Sequence, residues 1–228
     1  MNIAKRNLKE NQLIDAAEKV FAQVGFKNAK MTDIAKEAGI TKVTLYSYFQ
    51  SKENLYMAVT YRAFQVLIDL YYSHIDENKN KSGLEGSIGL MSAFMKFCED
   101  HFLYSEIILE YFALVRSTNQ GKDTNAKLTE AMIDSLYYRK IQDIQTLPLT
   151  LVSKEIQRGI DDGSIKSKKT PMFLTIYAWT SVTGFAKVIA ASGNLKDPLF
   201  DTDLTEMKEY SLRLTRLVLE DEDIQDKL

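Results

Sequence analysis

An alanine, a glycine and a leucine between residues 35 and 45 have the spacing that two closely crossed helices require. Ala35 is small enough to lie where one helix crosses the next. Gly39 can adopt the positive φ of a tight turn without steric cost. Ile40 and Leu45 give the following helix an apolar inner side. The segment therefore predicts a helix-turn-helix unit.

The residues around this unit follow a helical period. Apolar side chains between residues 13 and 24 form one stripe, which Gly25 is expected to end. Thr32, Thr41 and Ser51 are expected to cap the second, third and fourth helices, because their hydroxyls can accept from free backbone N–H groups. The sequence thus predicts three helices followed by a long fourth one.

The remainder of the chain is also predicted to be helical, since only three prolines and ten glycines interrupt 228 residues. Helices are expected over about 84–98, 104–115, 126–159 (broken or kinked at Pro148), 171–191 and 203–220. Loops are expected over about 76–86 and 117–125, a turn at 161–164, and a frayed acidic tail at 221–228. The prediction is an all-α protein of about nine helices, with a head at residues 1–52 and a body at 53–228.

Composition argues against several other classes of protein. The single cysteine, Cys98, excludes an internal disulfide and a cysteine-cluster zinc site, and with two histidines neither a metal nor a cofactor is expected. The N-terminus leads into no apolar signal core, and no run of about 18 uninterrupted apolar residues occurs. We therefore expect a cytoplasmic protein without a membrane span.

Charge is distributed unevenly between the two parts. Residues 1–52 hold nine basic and five acidic side chains, a net charge of +4, although the whole chain has a formal net charge of −2. A basic head on an acidic body suggests that the head meets a polyanion. Lys5, Arg6 and Lys9 are expected to form a flexible arm adding nonspecific attraction, with specific minor-groove contact as the alternative.

The outward side of the third helix carries side chains that can meet DNA. Lys42 could donate to guanine O6 or N7, and Thr44 could contact a base edge or a thymine methyl, because the start of a recognition helix enters the major groove. Ser47 shares this side, and Thr41, at the helix start, belongs to the DNA-facing set. Phosphate contacts are expected from Thr32, Tyr46, Tyr48 and Lys52.

Structural roles are the alternative for some of these residues. Tyr46 and Tyr48 could be core aromatics. Thr32 and Ser51 could be helix caps alone, and Lys52 could be a surface lysine.

The segment at about residues 10–56 resembles the N-terminal domain of TetR-family regulators. The residues that carry the resemblance are Gly25-Phe26, Thr32, Ile34-Ala35, Ala38-Gly39-Ile40, Leu45-Tyr46, Tyr48-Phe49 and Ser51-Lys52-Glu53. The resemblance implies phosphate binding by Thr32, Tyr48 and Lys52. It implies base contacts by Lys42, Thr44 and Ser47. Val43 departs from the pattern, because many members have glycine or another small residue there.

The resemblance also implies a body that binds a ligand and forms a homodimer. The expected function is a transcriptional regulator that binds a palindromic operator in double-stranded DNA and is released by a partly apolar small molecule. A repressor is favoured, because occluding a promoter needs only binding. The candidate pocket residues are Phe64, Met95, Tyr111 and Trp179, for which an ordinary core is the alternative. The last two helices are expected to form the dimer interface.

Two other classes of protein fit the sequence less well. Cys98 and His101 could in principle form a nucleophile and base, but neither an orienting group nor a glycine-rich loop accompanies them, so an enzyme is not expected. A helical interaction module, or a single-strand binder that contains a helix-turn-helix, would lack specific affinity for duplex DNA.

Overall fold

The computed structural model describes residues 3–120, 128–192 and 201–220. Within these ranges it contains eleven helices: α1 (Ile3–Asn28), α2 (Met31–Glu37), α3 (Lys42–Tyr46), α4 (Lys52–Glu77), α5 (Gly83–Asp100), α6 (Phe102–Gln120), α7 (Glu130–Ile133), α8 (Leu136–Ile144), α9 (Leu147–Asp161), α10 (Pro171–Ser192) and α11 (Leu204–Glu220). The prediction of an all-α fold is confirmed. The number exceeds nine because the segment expected as one interrupted helix is divided into α7, α8 and α9, with Pro148 in the first turn of α9.

Helix α1 begins at Ile3, so the expectation of a flexible arm at residues 5–9 is wrong. Lys5, Arg6 and Leu8 have good helix propensity, and no breaker stands between them and Gly25. Gly25 has φ 72° and ψ 160°, which interrupts the regular helix there as predicted, before a last turn that ends at Asn28. The loop expected from residue 117 is also helical as far as Gln120, while residues 121–127 and the acidic tail lie outside the described residues.

Two of the three predicted caps are confirmed. The Thr41 hydroxyl accepts from the Thr44 N–H at 3.1 Å, and the Ser51 hydroxyl accepts from the Asn54 N–H at 3.0 Å. The cap predicted at Thr32 is wrong, because α2 begins one residue earlier, at Met31. Met31 is buried, and its packing places the first helical residue ahead of the threonine.

Contacts divide the chain into two compact units, residues 1–64 with 106–144, and residues 65–105 with 145–228. In the first unit α1 packs on α2 and α2 packs on α3. Leu13, Ile34 and Leu45 are fully buried there, and Ala35 is buried as the helix crossing requires. The predicted domain boundary after residue 52 remains a prediction.

The second unit is built on a close approach of α5 and α9. A Cβ atom at Gly83 would lie 2.0 Å from the backbone nitrogen of Gly159, so the two helices meet backbone to backbone. The turn after α9 caps α5, since the Asp162 carboxylate accepts from the Gly83 N–H at 2.7 Å. Helix α10 packs on α9 and α5, and α11 packs on α5 and α10.

Helices α10 and α11 leave large apolar side chains in solvent. The exposed residues are Met172, Phe173, Ile176 and Tyr177 on α10 and Tyr210, Leu214 and Leu217 on α11. Among the described helices, Pro171–Ala191 is long and apolar enough to cross a membrane by length and composition, although helices of soluble proteins pass the same test. An exposed apolar surface of this extent indicates a contact surface.

Candidate nucleic-acid interface

The turn between α2 and α3 has the geometry that the sequence predicted. Gly39 has φ 64°, in the left-handed region. The N–H of Ile40 donates to the Ala35 carbonyl at 2.9 Å, and the N–H of Ala38 donates to the Ile34 carbonyl, also at 2.9 Å, so both carbonyls of the last turn of α2 are hydrogen-bonded. The turn therefore leads the chain from the hydrogen-bonded end of α2 into α3.

Helix α3 exposes one side to solvent. Lys42, Val43, Tyr46 and Ser47 are exposed, whereas Leu45 is fully buried. Positions three and four apart lie on the same side of a helix, so Val43, Tyr46 and Ser47 share a surface, with Lys42 beside Tyr46. The Lys42 ammonium lies 5.7 Å from the centre of the Tyr46 ring.

Val43 is a candidate DNA contact that the residue-by-residue reasoning did not assign. Its side chain is 81% exposed, although it is apolar and β-branched. An exposed methyl group on this side of α3 suits contact with a thymine methyl. The signal in the sequence was an apolar residue between Lys42 and Thr44, at a position where the family often has a smaller one.

The hydroxyls of α3 are bonded to one another and to the backbone. Thr41 Oγ1 and Thr44 Oγ1 lie 2.9 Å apart, and the Ser47 hydroxyl donates to the Thr44 carbonyl at 2.7 Å. Thr44 is half-buried, while Thr41 and Ser47 are exposed. These bonds fix the hydroxyl positions along one edge of α3.

The predicted phosphate contacts fall in three different surroundings. Thr32 is exposed in the first turn of α2. Tyr46 is 41% exposed, so its ring does not belong to the core. Tyr48 is half-buried, and the Arg6 guanidinium lies 5.9 Å from the centre of its ring. The N-terminal part of α1 thus places the Arg6 guanidinium beside the Tyr48 ring.

Lys52 is joined to the end of α1. Its ammonium donates to the carbonyls of Phe26 (2.8 Å), Ala29 (3.0 Å) and Lys27 (3.1 Å), and lies 4.6 Å from the centre of the Phe26 ring. An ammonium has three N–H donors, so these bonds use all of them. Lys52 is therefore not a surface lysine without a partner, and its phosphate contact remains a prediction that would require one bond to be exchanged.

The four predicted pocket residues belong to two units, and their contact with a ligand remains a prediction. Phe64 and Tyr111 are buried in the first unit, with ring centres 5.7 Å apart and edge to face. Met95 is buried in the second unit. Trp179 lines a cavity of about 20 Å³ in the second unit. The other residues lining that cavity are Tyr71, Met91, Phe94, Pro148, Leu149, Val152, Thr175, Ala178 and Val182.

A larger cleft of about 380 Å³ in the second unit was not foreseen from the sequence. Both histidines of the chain, His74 and His101, line it together with the Lys96–Asp100 ion pair. Burial lowers the pKa of His74, which favours its neutral form. Gly89 makes room for this ring, because a Cβ atom there would lie 2.1 Å from His74 Nε2. Only helix packing brings these residues together, so no sequence motif marks them.

The residues considered for catalysis or metal binding gain no support. Cys98 is 1% exposed, and the His101 ring stacks on Tyr104 at 5.6 Å. Within the described ranges, no group of three or more His, Cys, Asp or Glu side chains could hold a metal ion.

Residues 13–59 match the family model of bacterial regulatory proteins, tetR family. This region is that of a TetR-family regulator. The matched region covers α2, the turn and α3, together with the Lys52 contact. The prediction of a helix-turn-helix transcriptional regulator is thereby confirmed.

Curated relatives of this chain are regulators. It is 30% identical over 136 residues to the HTH-type transcriptional activator FasR of Mycolicibacterium smegmatis, a match that spans 58% of this chain and only 61% of FasR. It is 22% identical over 196 residues to IcaR of Staphylococcus aureus, the negative transcriptional regulator of the biofilm operon icaADBC, spanning 84% of this chain and 93% of IcaR.

A solved structure has the same fold. The transcriptional regulator FadR from Bacillus subtilis, in complex with stearoyl-CoA, superposes with a TM-score of 0.64 at 19% identity, covering 91% of this chain and 98% of FadR. This likeness extends the shared fold beyond the head to the helices of the body.

Proposed function

We propose that the protein is a dimeric, ligand-released repressor that binds a palindromic operator through α3. The observation that carries the proposal is the exposed side of α3, where Lys42, Val43, Tyr46 and Ser47 stand on a capped helix after a left-handed glycine turn. Lys42, Val43, Thr44 and Ser47 would face bases. Thr32, Tyr46, Tyr48 and Lys52 would hold phosphates, with Thr41 at the helix start.

A homodimer is supported by the apolar surface of α10 and α11. Seven large apolar side chains are exposed on these two helices, and water contact with them is unfavourable. Pairing with the same helices of a second copy would bury them in a four-helix arrangement. It would also allow two recognition helices to enter successive major grooves about 34 Å apart.

The effector would be a small, partly apolar molecule bound in the second unit. The cavity beside Trp179 has apolar and aromatic walls, but its volume of about 20 Å³ leaves room for little more than one water molecule and is far too small for such an effector. An effector would therefore have to displace side chains and stabilise a different packing, and that coupling could lower DNA affinity. Long-chain acyl-CoA is the first probe, because the related FadR fold is known in complex with stearoyl-CoA.

We expect the protein to act in the cytoplasm, where the DNA is. Selection of bound sites from random duplex DNA tests the proposal. We expect an inverted repeat, and we expect Lys42→Ala to change the preferred sequence while Tyr48→Ala weakens all sites alike. An unchanged preferred sequence for Lys42→Ala would contradict the assignment of this residue to base contact. Stearoyl-CoA is then added to the complex, and retention of the operator at saturating ligand would exclude release by this compound.

A further inference from the structure

Helix α8 belongs to the same compact unit as the DNA-binding head, although it follows α3 by about ninety residues. The Tyr137 ring of α8 stacks on Phe49 with centres 6.3 Å apart and an interplanar angle of 25°. It also lies 6.0 Å from the Tyr61 ring of α4. Phe49 is fully buried and lies three residues after the end of α3. One side chain therefore contacts both the helix-turn-helix segment and the long helix behind it.

Charged side chains hold this ring in place. The Lys140 ammonium lies 5.0 Å from the centre of the Tyr137 ring and 5.3 Å from that of Tyr61. Burial, followed by the charge and hydrogen bond of Glu10 on α1, raises the pKa of Tyr137 to about 12. At neutral pH the Tyr137 hydroxyl is therefore protonated. Helix α8 thus packs through Tyr137 on α4 and on the segment that follows α3, and Tyr137 interacts electrostatically with Glu10 of α1.

Helix α8 is itself fixed through α6. Gln142 donates to the Tyr111 hydroxyl at 2.9 Å, and Tyr111 packs edge to face on Phe64 of α4. The residue of α6 just before Tyr111, Glu110, accepts from the Tyr56 hydroxyl at 2.6 Å. Helix α8, which carries Tyr137, is therefore held to α6 by a part-buried hydrogen bond, and α6 is held to α4 by a second one.

We propose that Tyr137 is a positioning residue for DNA binding, which holds the helix-turn-helix against α4 and so orders it before it meets the operator. The proposal rests on the proposed function, because it concerns the same DNA-binding surface. Ordering a segment on binding costs conformational entropy, so a head that is already ordered binds more tightly than a loose one. Tyr137 would act without touching DNA, and displacement of α8 would loosen the head.

The test uses the full-length protein with three variants. Tyr137→Leu removes the ring, Tyr137→Phe keeps it, and Tyr72→Leu is the matched control at an exposed position of α4. Amide hydrogen exchange without DNA is followed in peptides covering residues 31–52 and 171–190, and operator affinity is measured by fluorescence anisotropy. We expect Tyr137→Leu to raise exchange over 31–52 by about tenfold while leaving 171–190 unchanged. We expect it to weaken operator binding by about fivefold or more, whereas Tyr137→Phe and Tyr72→Leu stay within about twofold of wild type.

Three results would overturn the positioning role. The first is unchanged exchange over residues 31–52 in Tyr137→Leu. The second is an equal rise of exchange in both peptides, which would mean general destabilisation. The third is faster exchange of the head with unchanged operator affinity. If Tyr137→Leu does not fold, Lys140→Met takes its place, since it removes only the cation from the stack. We expect Lys140→Met to raise exchange over residues 31–52 in the same way, and no rise would refute the proposal. If the wild type binds no duplex DNA, the proposed function fails, while the exchange experiment still decides whether Tyr137 orders the head.

Discussion

Replacing Lys52 by methionine is expected to destabilise the folded protein by about 3 kcal/mol. The ammonium donates to the carbonyls of Phe26, Lys27 and Ala29. A hydrogen bond to a charged group contributes about 1.5–3 kcal/mol. The bond to Lys27 is exposed, so water replaces it, whereas the bonds to Phe26 and Ala29 are partly buried. Two such bonds at the lower value give about 3 kcal/mol, and loss of the cation over the Phe26 ring acts in the same direction.

Urea unfolding of the full-length protein, followed by far-UV circular dichroism, measures this change. Methionine keeps most of the side-chain length, so the variant tests the charge and its bonds rather than packing. Lys36→Met, at an exposed position of α2, is the control and should change the free energy of unfolding by less than about 0.5 kcal/mol. A loss below about 1 kcal/mol for Lys52→Met would refute the argument that these bonds stabilise the end of α1. If Lys52 also contacts a phosphate, Lys52→Met would additionally reduce the magnitude of the salt slope of DNA binding by about 0.9 per head.

Three further predictions concern the second unit. Gly83→Ala places a methyl group 2.0 Å from the Gly159 nitrogen, so we expect a loss of about 3 kcal/mol or more in thermal unfolding; an unchanged melting temperature would contradict the close approach. The hydrogen bond from Arg216 lowers the pKa of Glu85 below its usual 4.5, so this pair stabilises the protein above that pH and the stabilisation is lost as pH falls through the lowered value. Because Glu85 is 45% exposed, the stabilisation by this pair should stay below about 1 kcal/mol. The free energy of unfolding of Glu85→Gln should lack this loss as the pH falls. Ile176→Asp should convert a dimer to a monomer in analytical ultracentrifugation, and a persistent dimer would exclude α10 from the interface.

The helix-turn-helix was predictable because its determinants are local. The positive φ of Gly39 and the caps at Thr41 and Ser51 involve residues no more than four positions apart, so composition and spacing are sufficient to place them. The error at Thr32 has the opposite cause. A residue with suitable cap chemistry stood one position inside the helix, because burial of Met31 set the helix start.

The body was less predictable because its contacts join distant parts of the chain. Pocket membership was inferred from size and apolarity, which core residues such as Phe64 and Tyr111 share with pocket residues. The 380 Å³ cleft brings together His74 of α4 and His101, which lies between α5 and α6, a proximity that helical periodicity does not predict. Residue type alone therefore identifies apolar side chains without showing which of them border empty space.

The amino-acid sequence by itself determined the all-helical fold, the position of the reading helix and the family, since helical period, turn glycine and caps are properties of neighbouring residues. The tertiary structure decided what the long side chains do. Lys52 binds carbonyls 23 to 26 positions away, and Tyr137 stacks on a ring 88 positions away. Such pairs form only when the packing of several helices is known, because a side chain's partner depends on which backbone lies within its reach.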